Sequence, residues 1–280
     1  MSLRLPPGPV DLTAIPTDAT PRFDGDKKQA RAALDAMGPE LAELQERLFA
    51  QGRSAQGQSG GRRILLVLQG TDTSGKGGTL RHTVGLVDPQ GIRITSFKAP
   101  TDEELAHDFL WRIRNALPGP GYIGVFDRSH YEDVLIARVR ELAPPEEIER
   151  RYGAINDFER ELVDDGVTVV KCLLHISADE QRQRLLARLD DPTKHWKFNP
   201  KDLDERARWA AYRTAYEIAL ERTNTEHAPW HVIPADHKWY RDLAVGGLLL
   251  EALRAMDLSW PEADFDVAEQ RRRLEQEDPG

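Results

Sequence analysis

Nine consecutive residues, Gly70-Thr71-Asp72-Thr73-Ser74-Gly75-Lys76-Gly77-Gly78, combine glycines, hydroxyls, one acid and one lysine in a spacing suited to phosphate. They follow the apolar run Ile64–Leu68 and lead into a helix-like stretch. Gly70, Gly75 and Lys76 therefore stand in the strand–loop–helix context in which a Gly-x-x-x-x-Gly-Lys pattern binds phosphates. Glycines let backbone N–H groups turn inward as an anion nest. The helix adds its positive N-terminal end, and Lys76 supplies a point charge. Two positions depart from the usual pattern. The Ser or Thr that normally follows the lysine, where its hydroxyl touches Mg²⁺, is Gly77. Asp72 places a carboxylate where phosphates approach, which is repulsive at close range unless a cation lies between. Asp72 reads as a Mg²⁺ ligand, or as an Asx-turn brace of the loop.

A second motif, Tyr122-Ile123-Gly124-Val125-Phe126-Asp127, is an apolar run ending in an acid. Beside a phosphate loop such a strand-terminal Asp holds Mg²⁺, directly or through water. Arg128 follows it and is placed to neutralise charge on a transferring phosphate; a salt bridge to Asp127 is the structural alternative. His130 has no partner at a metal-ligand spacing and reads as a packing or hydrogen-bonding residue. Farther on, Arg182–Arg213 carries nine cations against five acids. Basic helices beside a phosphate loop close as lids that exclude water. Trp209, Tyr212, Tyr216 and Leu220 follow helical spacing in the same region and read as packing rather than stacking surface.

These groups need elements to hold them. Strands are expected at Ile64–Leu68, Ile92–Phe97, Tyr122–Phe126, Val167–Leu174 and Trp230–Ile233. Helices are expected at Gln29–Ala50, Gly78–Val87, Asp102–Leu117, Tyr131–Val139, Pro145–Asp165, Ala178–Leu189, Pro200–Arg222 and Trp239–Met256, with Asn199 as N-cap and Pro200 as first helical residue. Strand–helix alternation implies an α/β fold with a parallel sheet of about five strands. The expected organisation is an N-terminal arm and helix over 1–61, an α/β domain over 62–260 with a lid at about 182–222, and an acidic tail over 261–280. Met1–Asp26 has no usable periodicity, and Gly52–Gly61 reads as a flexible connector.

The 280 residues carry 38 Lys plus Arg and 47 Asp plus Glu, a net charge of −9. That balance argues against nucleic acid as a partner. It is unevenly spread, however: Glu141–Asp165 holds nine acids and three bases, and Pro261–Gly280 holds seven and three. A polyanion must be met locally, in the basic segment. The longest apolar stretch, Leu243–Leu250, is far below the roughly 20 residues of a membrane span. No secretory signal pattern opens the chain, so a cytoplasmic protein is expected. Cys172, the single cysteine, lies in an apolar run and reads as a buried thiol.

The phosphate loop, Phe126-Asp127-Arg128-Ser129-His130-Tyr131-Glu132-Asp133 and Trp196-Lys197-Phe198 together resemble the polyphosphate kinase 2 family. Phe97-Lys98-Ala99-Pro100-Thr101, His107-Asp108-Phe109-Leu110-Trp111-Arg112, Thr223-Asn224-Thr225 and Ala228-Pro229-Trp230 add to the resemblance, which covers roughly Gln29–Met256. It implies a P-loop kinase fold of the thymidylate-kinase type with a helical lid. It implies Mg²⁺-dependent transfer of a terminal phosphoryl group from inorganic polyphosphate to adenine nucleotides, with guanine nucleotides as the alternative acceptors. The Ser-His-Tyr-Glu-Asp ending is similar to the subgroup, class III, that phosphorylates both AMP and ADP. By the same resemblance Lys76 and Arg128 contact transferring phosphates, Asp72 and Asp127 serve the metal, and Arg184, Arg188, Lys194 and Lys197 line the polyphosphate path. Asp127 is Asn in some relatives, which makes Asp72 the firmer metal ligand. Asp108 and Arg112 lie near the nucleotide, Arg81 and Lys98 complete the phosphate- and nucleotide-binding set, and the protein is a dimer or tetramer.

Two other readings fit the loop. One is an ATP-dependent kinase of similar fold, distinguished by which donor supports transfer. The other is a nucleotide- or polyphosphate-binding regulator, against which the carboxylates Asp72 and Asp127 argue because simple anion binding needs none.

Overall fold

Runs of Val, Ile and Leu form five strands: β1 (Arg63–Gln69), β2 (Ile92–Ser96), β3 (Ile123–Asp127), β4 (Val167–His175) and β5 (Trp230–Pro234). In the computed structural model, which describes residues 2–54 and 61–277, they make one sheet in the order β2-β3-β1-β4-β5. All pairings are parallel. Every residue of β1 is buried, as expected of a central strand covered on both faces. Its side chains alternate between two cores. Leu65 and Val67 join Phe126, Tyr152 and Phe158 on one face; Ile64, Leu66 and Leu68 join Leu41, Leu48 and Leu249 on the other.

The helices are α1 (Lys27–Ser54), α2 (Lys76–His82), α3 (Asp102–Leu105), α4 (Trp111–Asn115), α5 (Ile136–Val139), α6 (Pro145–Asp164), α7 (Ala178–Asp190), α8 (Lys201–Arg206), α9 (Trp209–Thr223), α10 (Lys238–Arg254) and α11 (Val267–Gln276). After β1 the chain fills one side of the sheet with β2 and β3, then crosses to the other with β4 and β5. The loop after β1 thus sits where strand order reverses, the place where open α/β sheets bind ligands. Register sets Leu68 beside Asp127 and Asp127 beside Ser96, so the two motifs of the sequence end side by side.

Several elements differ from expectation. Asp102–Leu117 is two short helices, because the Asp108 side chain accepts from Leu110 N at 3.0 Å and its carbonyl from Trp111 N at 2.8 Å, starting α4 afresh. Pro200–Arg222 breaks between α8 and α9: Arg206 ties α8 to the Ala178 carbonyl at the start of α7, whereas α9 packs against the α6 side. Pro200 is the N-cap of α8, with Asn199 Oδ1 accepting from Lys201 N at 3.1 Å. The Tyr131–Val139 helix is a 3-10 turn, His130–Asp133, followed by α5. The expected Gly78–Val87 helix begins at Lys76 and ends at His82. Helix α1 runs on to Ser54, into the expected connector, whose residues 55–60 lie outside the described residues. The N-terminal arm is not idle: Leu5 N donates to Trp230 O and Val232 N to Leu3 O, which closes the open edge of β5. Among the described residues, no helix is long and apolar enough to cross a membrane.

Candidate active site

The loop between β1 and α2 takes a path that few side chains allow. Gly70, Thr73 and Gly75 have φ of 150°, 63° and 111°. A Cβ on Gly70 would lie 2.7 Å from the Leu174 carbonyl oxygen, so only glycine fits there. The loop is held from behind. Arg184 uses all five of its N–H groups on protein acceptors: the carbonyls of Thr73 (2.8 Å), Ser74 (3.0 Å), Ala235 (2.6 Å) and Asp236 (3.0 Å), and the Glu180 carboxylate (2.6 Å). Gln181 donates to the Asp72 carbonyl at 3.1 Å. In planar peptides, oxygens drawn to one side present N–H groups on the other, which is what an anion cradle requires. Lys76, the first residue of α2, is buried and donates to the Gly70 carbonyl at 2.9 Å. Burial pulls its ammonium below the usual lysine range and Arg128 adds to this, while Asp127, Glu132 and Asp72 work in the opposite sense.

Beside the loop, β3 ends at Asp127. Arg128 N donates to the Leu68 carbonyl at 3.1 Å, and Arg128 itself sits at φ 64°. A left-handed arginine costs about 1–3 kcal/mol and persists only where its surroundings fix it. Burial opposes its charge, but Glu132 and Asp127 more than offset that and hold the guanidinium above the usual arginine range. Glu132 enters the sequence motifs only within the Ser-His-Tyr-Glu-Asp ending, with no role of its own. It stands in the 3-10 turn His130–Asp133, faces Arg128 and Lys76, and accepts from the Gln69 amide at 3.1 Å. Its place in the Ser-His-Tyr-Glu-Asp ending was the available signal. Burial nonetheless pushes its carboxyl up from the usual range.

Asp72, Thr73, Gly75, Lys76, Gly77, Gly78, Arg81, Lys98, Asp127, Arg128, Arg188 and Lys197 line one cavity of about 510 Å³. A second trough of about 820 Å³ shares Thr73, Gly75, Gly78, His82, Arg188 and Lys197 with it, then runs over Lys194 and Lys238 to Lys27 and Arg31 on α1. The two leave the loop in different directions, the first past β2 and β3, the second past the ends of β4 and β5.

The model of the polyphosphate kinase 2 family matches residues 25–261. The chain belongs to this family. It is 44% identical over 259 residues to the AMP/ADP-polyphosphate phosphotransferase of Meiothermus ruber, covering 92% of this chain and 94% of that one. It is 40% identical over 265 residues to the ADP-polyphosphate phosphotransferase of Rhodopseudomonas palustris, covering 90% and 89%. The crystal structure of polyphosphate kinase 2 from Arthrobacter aurescens TC1 superposes with a TM-score of 0.93 at 54% identity, covering 98% of this chain and 95% of that one. The five-stranded parallel sheet is accordingly that of a P-loop kinase.

Within this polyphosphate kinase 2 fold, the expected site residues divide. Gly70, Thr71 and Ser74 build the loop itself. Arg188, at the end of α7, reaches across to Asp72 Oδ2 at 3.1 Å and to the Lys197 carbonyl at 3.2 Å, and Asp202 lies 3.8 Å away. The Asp72 carboxylate therefore meets the end of α7, and among the described residues it accepts from no loop N–H. Burial and the neighbouring Asp72 carboxylate push Asp202 up to about 6. Arg184 lines the trough, but its guanidinium turns toward the back of the loop, where all its N–H groups meet protein acceptors. Arg112 is also turned inward, donating to the Lys98 carbonyl at 3.0 Å and lying 3.5 Å from Asp133. Asp108 is exposed, 3.6 Å from Arg150, and lines neither cavity. His130 accepts a hydrogen-bonding role, 3.2 Å from Glu159. Burial drives the Cys172 thiol up to about 12.

Proposed function

We propose that this protein moves the terminal phosphoryl group of inorganic polyphosphate to AMP and ADP by direct in-line transfer, with Mg²⁺ bound. The observation that carries this reading is the meeting of two cation-lined cavities at one phosphate loop. In this reading donor and acceptor come to the loop along different cavities and meet at Lys76 and Arg128, which line the first of them. The trough past β4 and β5, with Lys194, Lys238, Lys27 and Arg31 along it, suits a long polyanion. The cavity past β2 and β3, with Arg81 and Lys98, suits a nucleotide phosphate.

The acceptor's phosphate oxygen is already ionised at neutral pH, so no strong general base is needed, and catalysis rests on position and charge. Lys76 and the loop amides hold one phosphate. Arg128, fixed in its left-handed backbone, bridges donor and acceptor and stabilises the charge shared between them. Arg188 and Lys197 bring the lid over the loop and exclude water. Asp72 and Asp127 both line the cavity, and two hard carboxylates suit Mg²⁺, which usually takes one or two from protein and the rest from waters and phosphates. Bound there, the ion would neutralise phosphate charge next to those acids. The family resemblance also supports a cytoplasmic dimer or tetramer, which light scattering would test.

Incubating the purified protein with polyphosphate, Mg²⁺ and AMP is expected to yield ADP and then ATP on a chromatogram. Transfer from ATP but not from polyphosphate would overturn the reading.

A further inference from the structure

Beneath the turn that carries Arg128 lies a charged cluster that lines neither cavity. Ser129, His130 and Tyr131 point into the protein and are fully buried, while Arg128 and Glu132 face Lys76. Under them are Lys171, from the middle of β4, and Glu159 of α6, both wholly inaccessible. Glu159 accepts from Lys171 Nζ at 2.6 Å and from the Tyr131 hydroxyl at 2.7 Å, and His130 Nε2 lies 3.2 Å away. Lys171 spends its other two protons on the Tyr131 oxygen (2.9 Å) and the Thr223 carbonyl (2.8 Å) at the end of α9. Thr223 Oγ1 in turn accepts from Trp230 Nε1 at 2.9 Å.

We infer that the buried Lys171–Glu159 pair is a positioning device for the proposed phosphoryl-transfer reaction, locking the His130-Tyr131 turn and, through it, the backbone of Arg128. Stability alone does not account for the pair, since apolar residues of similar shape commonly replace a buried ion pair without loss. The geometry accounts for it better. Arg128 sits at φ 64° and needs its flanking residues held. The two residues next but one and next but two after it in sequence are the ones the pair grips. The Thr223 carbonyl joins the same lock to α9, whose Tyr216 is buried beside Glu132 and Arg128. Burial lowers the Lys171 ammonium from its usual range even with Glu159 against it; Glu159, which burial alone would raise, is held down by Lys171 and His130.

The inference rests on the role given to Arg128, and the test separates the two. Lys171→Met with Glu159→Gln removes both charges together and keeps their volumes. The double variant is expected to fold, with kcat roughly tenfold lower and KM for AMP and polyphosphate within about twofold, because the lost interaction acts at the transition state. Arg128→Lys is then combined with it. If the pair acts through Arg128, the double change costs little more once Arg128 is already Lys, whereas independent effects multiply. Normal kcat in the double variant, or fully multiplicative losses, would overturn the inference. Normal kcat in Arg128→Lys alone would instead refute the assignment of Arg128. Tyr131→Phe, which deletes only the bridging hydroxyl, carries the same cycle should circular dichroism show the double variant unfolded.

Discussion

Arg184 and Arg188 stand one turn apart on the same face of α7, yet they do different work. Arg184 gives every N–H to the protein and ties the phosphate loop to the segment after β5. Arg188 is partly exposed at the cavity wall and reaches the Asp72 carboxylate and the Lys197 carbonyl. In sequence the two are equivalent cations in a basic helix. What separates them is the set of acceptors within reach: four backbone carbonyls and a carboxylate for one, two acids and a single carbonyl for the other. A charge whose donors are all taken inside builds a site, and a charge with donors to spare serves what enters it.

Lys76 tests the contrast most severely, since it is buried like Arg184 but lines the cavity like Arg188. Lys76→Ala is expected to cut turnover roughly 10²–10³-fold while leaving thermal unfolding nearly unchanged. A large fall in Tm would move Lys76 to the architectural side. Arg184→Met strands four backbone carbonyls and is expected to cost about 3–5 kcal/mol in urea unfolding. Arg188→Met should cost under about 1 kcal/mol, as partly exposed pairs do, and appear instead as a raised KM for polyphosphate. Equal stability losses in the two variants would break the comparison.

Smaller effects sharpen it. Lys27→Glu with Arg31→Glu, at the far end of the trough, should raise KM several-fold for long polyphosphate and leave tripolyphosphate unchanged, since only a long chain reaches charges so far from the loop. Equal effects on both lengths would place the donor elsewhere. Asp202 gives the smallest and most pH-dependent effect. Its folded value of about 6 lies above the ordinary 3.8, so the proton it binds stabilises the folded lid contact below about pH 4, and that contribution is lost as pH rises through about 6. Asp202→Asn, measured in EDTA, should therefore raise Tm by a few degrees at pH 7 and not at pH 4.

Much of this was written locally. Strand, loop and helix around Gly70–Gly78 follow from short-range pattern, and so does the acid closing β3, because each signal spans a few residues. What escaped depends on distant partners. Nothing near Leu3 and Leu5 announces that they pair with Trp230 and Val232. Lys171 sits within an otherwise apolar run, and the carboxylate that makes it tolerable lies on another element. Arg112 and Arg184 carry the same charge as Arg188, and only their acceptors show that their N–H groups are taken up by the protein. Asp108 was legible as a charged residue of a motif, but not as the side chain that starts α4.

The brace behind the phosphate loop has a consequence for the order in which the molecule is made. Residues 70–78 leave the ribosome early, but the groups that fix their carbonyls come from Gln181 and Arg184, and Arg184 is itself anchored by Ala235 and Asp236. A nascent chain therefore carries its most conspicuous motif unfinished through the synthesis of some 160 further residues. Only when β5 is laid beside β4 does the cradle close. A fragment ending before β5 would keep the whole phosphate-loop sequence without a fixed phosphate site.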